Sequence, residues 1–435
     1  MTFFVESLGC ARNQVDSEQM IACLEAMGLH WVDRPEEAGI IIVNTCGFIT
    51  SAKEQSIRAA FALKSGFPGA KVIMAGCLVE RYGRQLEEAM GEIDGFVGVG
   101  DLEALQTLVL NLEEKGALPA PEAASRKHST CPRTRLLSVP GSAYVKVAEG
   151  CANRCSYCAI PLIRGSLASR KRGDVLSEVE ELLRRGVYEI VLVAQDLASF
   201  GRDRGKAELV ALVKEISRLP GGFWLRLLYL HPDHFPLELL EVIAGDSRLL
   251  PYFDIPFQHA SEALLSRMGR TGSAQGYLEL VQRIRSRLPE AVIRSTLLVG
   301  FPGESEDDLE VLLDFQRRSE LDWLGVFAYS REEGTPAYNF PGRVKKSVAL
   351  RRKRQIERAQ TAITRARLDR VVGRRLEVLV EEPIQGESLF LARSYLQAPE
   401  VDGLVVVKAS GLKPGRIYPV RIDRRVGIDL EASLA

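Results

Sequence analysis

The stretch SAYVKVAEGCANRCSYC, Ser142 to Cys158, couples a β-rich apolar run to three closely spaced thiols, Cys151, Cys155 and Cys158, in the pattern CxxxCxxC. Five further strand candidates follow it: EIVLVAQD, WLRLLYL, YFDIPFQH, VIRSTLLVG and WLGVFAYS. Amphipathic stretches of helix length separate them. Six successive βα units predict a partial or complete βα barrel over 142–342. A βα barrel works on the loops at the C-terminal ends of its strands, and the cysteine triplet sits on the first such loop.

Three thiols on one loop suit a metal centre better than a disulfide framework. The chain opens MTFFVESLGCARN, without the charged and apolar regions of a secretory signal, and no apolar run approaches the length of a membrane span. A cytoplasmic protein with reduced cysteines is therefore expected. Zinc is the alternative use, but a structural zinc site closes with four ligands, and no fourth Cys or His is near in sequence. A 4Fe–4S cluster held by three thiolates leaves one iron open to a small molecule. Polar residues at the other strand ends, namely Gln195, Asp196, His231, Gln258 and His259, outline the mouth of such a site.

Upstream, 1–115 alternates strand runs (FFVESL, IIIVNT, KVIMAG, DGFVGVG) with helical patterns, which predicts a parallel α/β domain. Cys10, Cys46 and Cys77 each follow such a strand, at the edge where parallel sheets bind ligands. Three thiols distant in sequence can thus meet, as they would around a second, auxiliary 4Fe–4S cluster. Cys23 falls on a helical pattern and is expected in the core, and Cys131 as a bystander in a linker.

That linker, 116–141, is rich in Pro, Ala and Ser and reads as flexible. After the barrel comes a long basic helix over 343–373, with Arg351, Arg352, Lys353 and Arg354 as possible contacts to RNA. The last segment, 374–435, has short β-like runs broken by Gly and Pro and predicts a small antiparallel β-barrel. The 57 basic and 57 acidic residues balance, so bulk charge favours neither nucleic acid nor a membrane. Acidic positions in the last segment (Glu381, Glu382, Glu387, Glu400 and Asp402) make a basic protein loop an easier partner than RNA.

CxxxCxxC with Tyr157 before the last cysteine, on a βα barrel, resembles the radical S-adenosylmethionine (SAM) enzymes. The resemblance implies that the open iron binds SAM, that Tyr157 lies against the adenine, and that one electron cleaves the sulfonium to a 5′-deoxyadenosyl radical. It also implies that Gly300 and Gly303 in LLVGFPGESEDD line the adenine. Glu304, Glu306, Asp307 and Asp308 read as first-turn residues of the next helix. The usual Gly-Gly-Glu after the second strand is replaced by Val193, Ala194, Gln195 and Asp196, which makes Gln195 and Asp196 the cofactor-binding candidates there.

Two three-cysteine sets in this domain order, with a terminal TRAM-like barrel, resemble the methylthiotransferases over nearly the whole chain. SLGCARNQVDSE, NTCGFITSAKEQSI, EGCANRCSYCAIPLIRG and DIPFQHAS fall closer to the RimO-type branch, which modifies an aspartate of ribosomal protein S12, than to the branch that modifies a tRNA adenosine. The tRNA branch more typically has another residue where this chain has Gly47, and Gln-Gly-Cys in place of Glu149-Gly150-Cys151. The resemblance implies two SAM molecules per turnover, a reductase as electron donor, and C–S bond formation at the aspartate β-carbon. A non-catalytic iron–sulfur protein that binds RNA is the reading from another class. An electron carrier normally supplies four protein ligands per cluster, which the triplet does not.

Overall fold

The computed structural model describes residues 1–114 and 132–435, so Cys131 and most of the predicted linker lie outside it. The first module is a five-stranded parallel sheet of β1 (Thr2–Ser7), β2 (His30–Trp31), β3 (Ile40–Thr45), β4 (Lys71–Gly76) and β5 (Gly95–Val97), in the order β2-β1-β3-β4-β5. Helices α1 (Ala11–Ala26) and α4 (Leu102–Glu114) cover one face, while α2 (Thr50–Gly66) and α3 (Cys77–Ala89) cover the other. Being covered on both faces explains why β3 is buried at every position and reads as a continuous apolar run. Cys23 lies in the α1 core, as expected.

The second module is an open, six-stranded parallel half-barrel of β6 (Ser142–Lys146), β9 (Glu189–Val193), β10 (Trp224–Leu227), β11 (Leu249–Asp254), β12 (Val292–Val299) and β13 (Trp323–Ala328), adjacent in that order. A short ribbon, β7 (Ala148–Glu149) with β8 (Ala168–Ser169), flanks the triplet loop and the single turn α5 (Ile160–Arg164). The outer face is covered by α6 (Arg172–Arg184), α7 (Leu209–Ile216), α8 (Glu238–Ala244), α10 (Ala274–Arg287) and α11 (Glu306–Ser319). The short α9 (Glu262–Arg267) packs nearer the triplet loop. Period-2 alternation sends Val145, Leu192 and Phe253 into that outer core and Tyr144, Val191 and Tyr252 to the concave face.

The concave face is not left to solvent. The last module packs into it, a closed barrel of β14 (Arg375–Pro383), β15 (Leu389–Arg393), β16 (Val405–Lys408), β17 (Ile417–Val426) and β18 (Asp429–Leu434). Its pairings are antiparallel except for β16 with β18, which run parallel, so the wholly antiparallel barrel expected from the sequence is corrected at that seam.

Charge bonds the two modules together. Glu189 of β9 accepts from Arg226 at 2.7 Å, from Arg393 at 2.8 Å and from Ser142 at 2.6 Å, all buried. Arg393 also holds Glu381, and Asp402 accepts from Tyr252 at 2.5 Å and faces Arg294 at 3.3 Å. Asp402 is therefore a joint between modules, and Glu381 is buried within the C-terminal barrel on Arg393, so neither belongs to an acidic surface for a partner.

The basic helix α12 (Lys346–Asp369) buries Ala349, Arg352, Ile356, Gln360, Thr364 and Leu368, a stripe at three- and four-residue spacing. Arg352 donates to Glu304 at 2.9 Å and to Glu306 at 2.8 Å, so within the basic run it is excluded as an RNA contact, whereas Arg351 and Arg354 are exposed. Glu304 in turn is not a first-turn residue: α11 begins at Glu306 behind a Ser305–Asp308 capping box, and Glu304 is buried before it. The described end of the predicted linker is anchored. Arg133 pairs with Glu18 and with Glu178, the latter at 2.6 Å. No helix among the described residues is long and apolar enough to cross a membrane.

Replacing Arg393 with Met leaves Glu381 and half of Glu189 buried without a cation. We expect a loss of about 3–5 kcal/mol, read as a lower denaturant midpoint and as faster proteolytic release of the C-terminal barrel.

Candidate active site

The three N-terminal thiols belong to adjacent strands. β1, β3 and β4 are neighbours in the sheet, and parallel strands lie about 4.8 Å apart. Thr45 pairs with Gly76, so Cys46 and Cys77 leave the sheet side by side, while Cys10 caps α1 beyond β1. Two glycines permit the approach. Gly9 has φ +101°, and a Cβ on it would come within 3.0 Å of the Cys46 Cβ. A Cβ on Gly47 would come within 2.7 Å of the Cys77 carbonyl oxygen and 2.8 Å of Leu78 Cα.

Asn13 ties the loops together, donating from Nδ2 to the carbonyls of Leu8 and Thr45, both at 2.9 Å, and accepting from the Cys77 thiol at 3.4 Å. The thiols sense one another's charge. Burial pushes Cys77 up to about 12 against the pull of Arg164, and burial likewise raises Cys46. At Cys10 burial acts in the same sense, but Arg12, Arg164 and the helix N–H groups outweigh it and the thiol is lowered.

The second set sits on a tight loop. The Cys151 N–H donates to Gly165 O and the Cys158 N–H to Cys155 O, both at 3.1 Å, and Ser156 anchors the loop to Arg267 and Met268. Burial raises Cys151 to about 11 and Cys158 to about 12. Among the described residues no group of three His, Cys, Asp or Glu side chains is placed to hold a single metal ion. Zinc takes its thiolates at about 2.3 Å, all on one atom, whereas a cubane spreads three thiolates over three irons. Each set supplies three mutually sensing thiols, the donor number of a cluster with one open iron and one short of a closed structural zinc site.

Arg164, which the sequence reading did not single out, joins the two sets. Its guanidinium donates to Glu149 at 2.6 Å, Asn13 at 2.7 Å and Asp16 at 2.8 Å, and lies 3.3 Å from the Cys77 Sγ. Lys146 bonds Glu149 at 2.7 Å and also Asp16. Two cations and two carboxylates thus form a buried, neutral quartet. Cys77 also packs on Ala159 and Ile163, the residues that follow Cys158. Arg12 and Asp16 stand in the same quoted segment as Cys10, and only tertiary contact reveals their use.

The predicted mouth residues divide. Asp196 is brought to the triplet loop, accepting from Asn153 at 2.9 Å, and is also bonded to His234 at 2.5 Å and Ser199 at 2.6 Å. Burial alone would raise its carboxyl, yet His234 and Ser199 hold it well below the usual range. Gln195 beside it keeps a buried Nε2 with no partner. His231 stacks on His234 at 4.6 Å and is lowered to about 3 by burial and by Arg270. Gln258, in the left-handed region at φ +68°, bonds through its backbone to Thr296 and Leu298. His259 is fully buried against Glu304 at 3.4 Å and is committed there.

Tyr157 lies against Met268, Phe301 and Ala337, beside Arg270. Gly300 and Gly303 both have positive φ, and a Cβ would strike Ala349 at 2.4 Å in the first case and Arg267 at 2.5 Å in the second. Packing against α12 by itself requires glycine at Gly300, whereas at Gly303 it is the φ of +89° that favours glycine, since the end of Arg267 can move.

Comparison with known proteins agrees with this layout. Residues 2–98 match the uncharacterized protein family UPF0004, 145–315 the radical SAM superfamily and 372–434 the TRAM domain. Among solved structures, the radical SAM methyltransferase TsrM of Kitasatospora setae superposes with TM-score 0.58 at 18% identity, over 77% of this chain and 73% of that one. The cobalamin-dependent radical enzyme OxsB gives 0.51 at 12%, over 82% and 56%. Both share the fold. The ribosomal protein uS12 methylthiotransferase RimO of Treponema denticola is 43% identical over 98% of each chain, and that of Carboxydothermus hydrogenoformans 40% over 97% of each. With a half-barrel carrying the superfamily's cysteine triplet and identity of this order along the full length, the chain belongs to the RimO family of radical SAM methylthiotransferases.

Proposed function

We propose that this protein inserts a methylthio group at the β-carbon of an aspartate in ribosomal protein S12, with one 4Fe–4S cluster and SAM at Cys151, Cys155 and Cys158 and an auxiliary 4Fe–4S cluster at Cys10, Cys46 and Cys77. The observation that carries the reading is that Ala159, Ile163 and Arg164, which follow Cys158 in the chain, pack on or bond to Cys77 of the other set. Functionalising an unactivated carbon is beyond side-chain acids and bases, and bound clusters with SAM supply the radical chemistry instead.

The chain's residues bind and orient. Gln195 offers its unpartnered amide to the cofactor, and Asp196 positions the triplet loop through Asn153. Tyr157 presents its ring beside Cys158. The apolar surroundings of Tyr157 and the buried quartet around Arg164 shield one side of each thiol set. A reductase of the host supplies the electron, and the exposed Arg351 and Arg354 offer a contact to ribosomal RNA.

Three outcomes test this. After anaerobic reconstitution the intact chain should hold about eight irons and Cys46→Ala about four, by iron and sulfide assay; an unchanged iron content in the variant would remove the auxiliary cluster. Gln195→Ala should weaken SAM binding by about tenfold, measured by equilibrium titration. Incubated with SAM and a reductant, S12 should gain the mass of one methylthio group. A gain on tRNA with none on S12 would overturn the substrate assignment.

A further inference from the structure

Two buried cations near the thiol sets have no carboxylate within ion-pair distance. Of the seven buried arginines among the described residues, five lie within ion-pair distance of a carboxylate. The other two are Arg270 and Arg12. Arg270 donates to Pro256 O at 2.7 Å and borders Tyr157 and Cys155, on the side of the barrel triplet. Arg12 lies between the modules. It is two residues beyond Cys10, donates to Ala194 O at 2.9 Å at the C-terminal edge of β9, and stands 5.0 Å over the ring of Tyr229.

Its position is built. Arg12 is only 9% exposed, its Nε is buried without a partner, and Tyr229 holds the left-handed φ of 65° that few non-glycine residues adopt. The acids nearby are spent: Asp16 and Glu149 on Lys146 and Arg164, Asp196 on His234 and Asn153, Asp254 on Arg294. With no carboxylate within ion-pair distance, Arg12 is offset chiefly by the charge of Cys10, and a carboxylate carried into the same place without a cation would be costly.

We propose that Arg12 is the specificity-determining residue that receives the side-chain carboxylate of the aspartate being modified. The inference rests on the function proposed above and deepens it. In aspartate the carboxylate is bonded directly to the β-carbon, so a residue that fixes one fixes the other. A guanidinium reaching from the Cys10 loop to the edge carrying Gln195 and Asp196 places that carbon between the two thiol sets. Arg12 gives preference for a charged side chain over its neutral isostere, since an amide cannot repay the buried cation.

The test compares S12 carrying Asp at the target position with S12 carrying Asn there, binding each to the full-length reconstituted enzyme without SAM so that no turnover occurs. Wild type should bind the Asp form about tenfold to a hundredfold more tightly. Arg12→Gln, which keeps a donor for Ala194 O, should bring the ratio near one, and Arg12→Lys should restore most of it. The ratio is independent of how many variant chains fold. If wild type prefers Asp and Arg12→Gln keeps that preference in full, the assignment of Arg12 falls while the substrate stands. Equal weakening of both forms would mean that Arg12 only balances thiolate charge, and would overturn it too. Wild type that binds neither form would overturn both readings.

Discussion

The arrangement depends on one buried guanidinium. Arg164 reaches from the turn after the barrel triplet to Asn13, Asp16 and the Cys77 sulfur in the first module, and its charge is balanced within the quartet it forms with Lys146, Asp16 and Glu149. In a low-dielectric interior such a set is stable only complete, because removing a member strands a charge. The distance between the two thiol sets is thereby set by electrostatics between modules, not by the covalent path, in which the nearest cysteines of the two sets lie far apart in sequence.

The half-barrel is the frame on which the other modules seat. Its concave face is shared by depth. Near the strand starts, Glu189, Arg226 and Ser142 receive the C-terminal barrel through Arg393, and Trp323 donates to Leu396 O at 2.7 Å. Near the strand ends, Arg12 and Asp16 of α1 close over Ala194 and Lys146. An open sheet of six parallel strands would expose apolar surface on this side, and its two partners cover that surface while leaving the strand-end loops to the thiols.

Much of this was legible in the sequence wherever the signal is local. Strand periodicity put Cys10, Cys46 and Cys77 at equivalent ends, and parallel geometry then brought them to one edge. What escaped was charge. Arg352 reads as one of a solvated basic run, yet three- and four-residue spacing turns it inward to Glu304. Glu381 and Asp402 read as a surface, yet the first is buried on Arg393 and the second joins the barrel to Tyr252 and Arg294. Arg164, Lys146 and Asp16 could not be ranked above other charged residues, since their partners lie up to about a hundred and fifty positions away and only the folded chain pairs them. Glu304 differs for a simpler reason: the Ser305–Asp308 box starts the helix at Glu306, and the carboxylate before the cap turns inward.

Gly47 leads furthest beyond its own surroundings. The backbone there runs so close to the Cys77 turn that even a methyl group would act as a wedge, prising one thiol-bearing loop from the next. A change at this position alters the clearance between the Cys46 and Cys77 turns while every thiol stays in the chain, so it governs the shape of the site and not its composition.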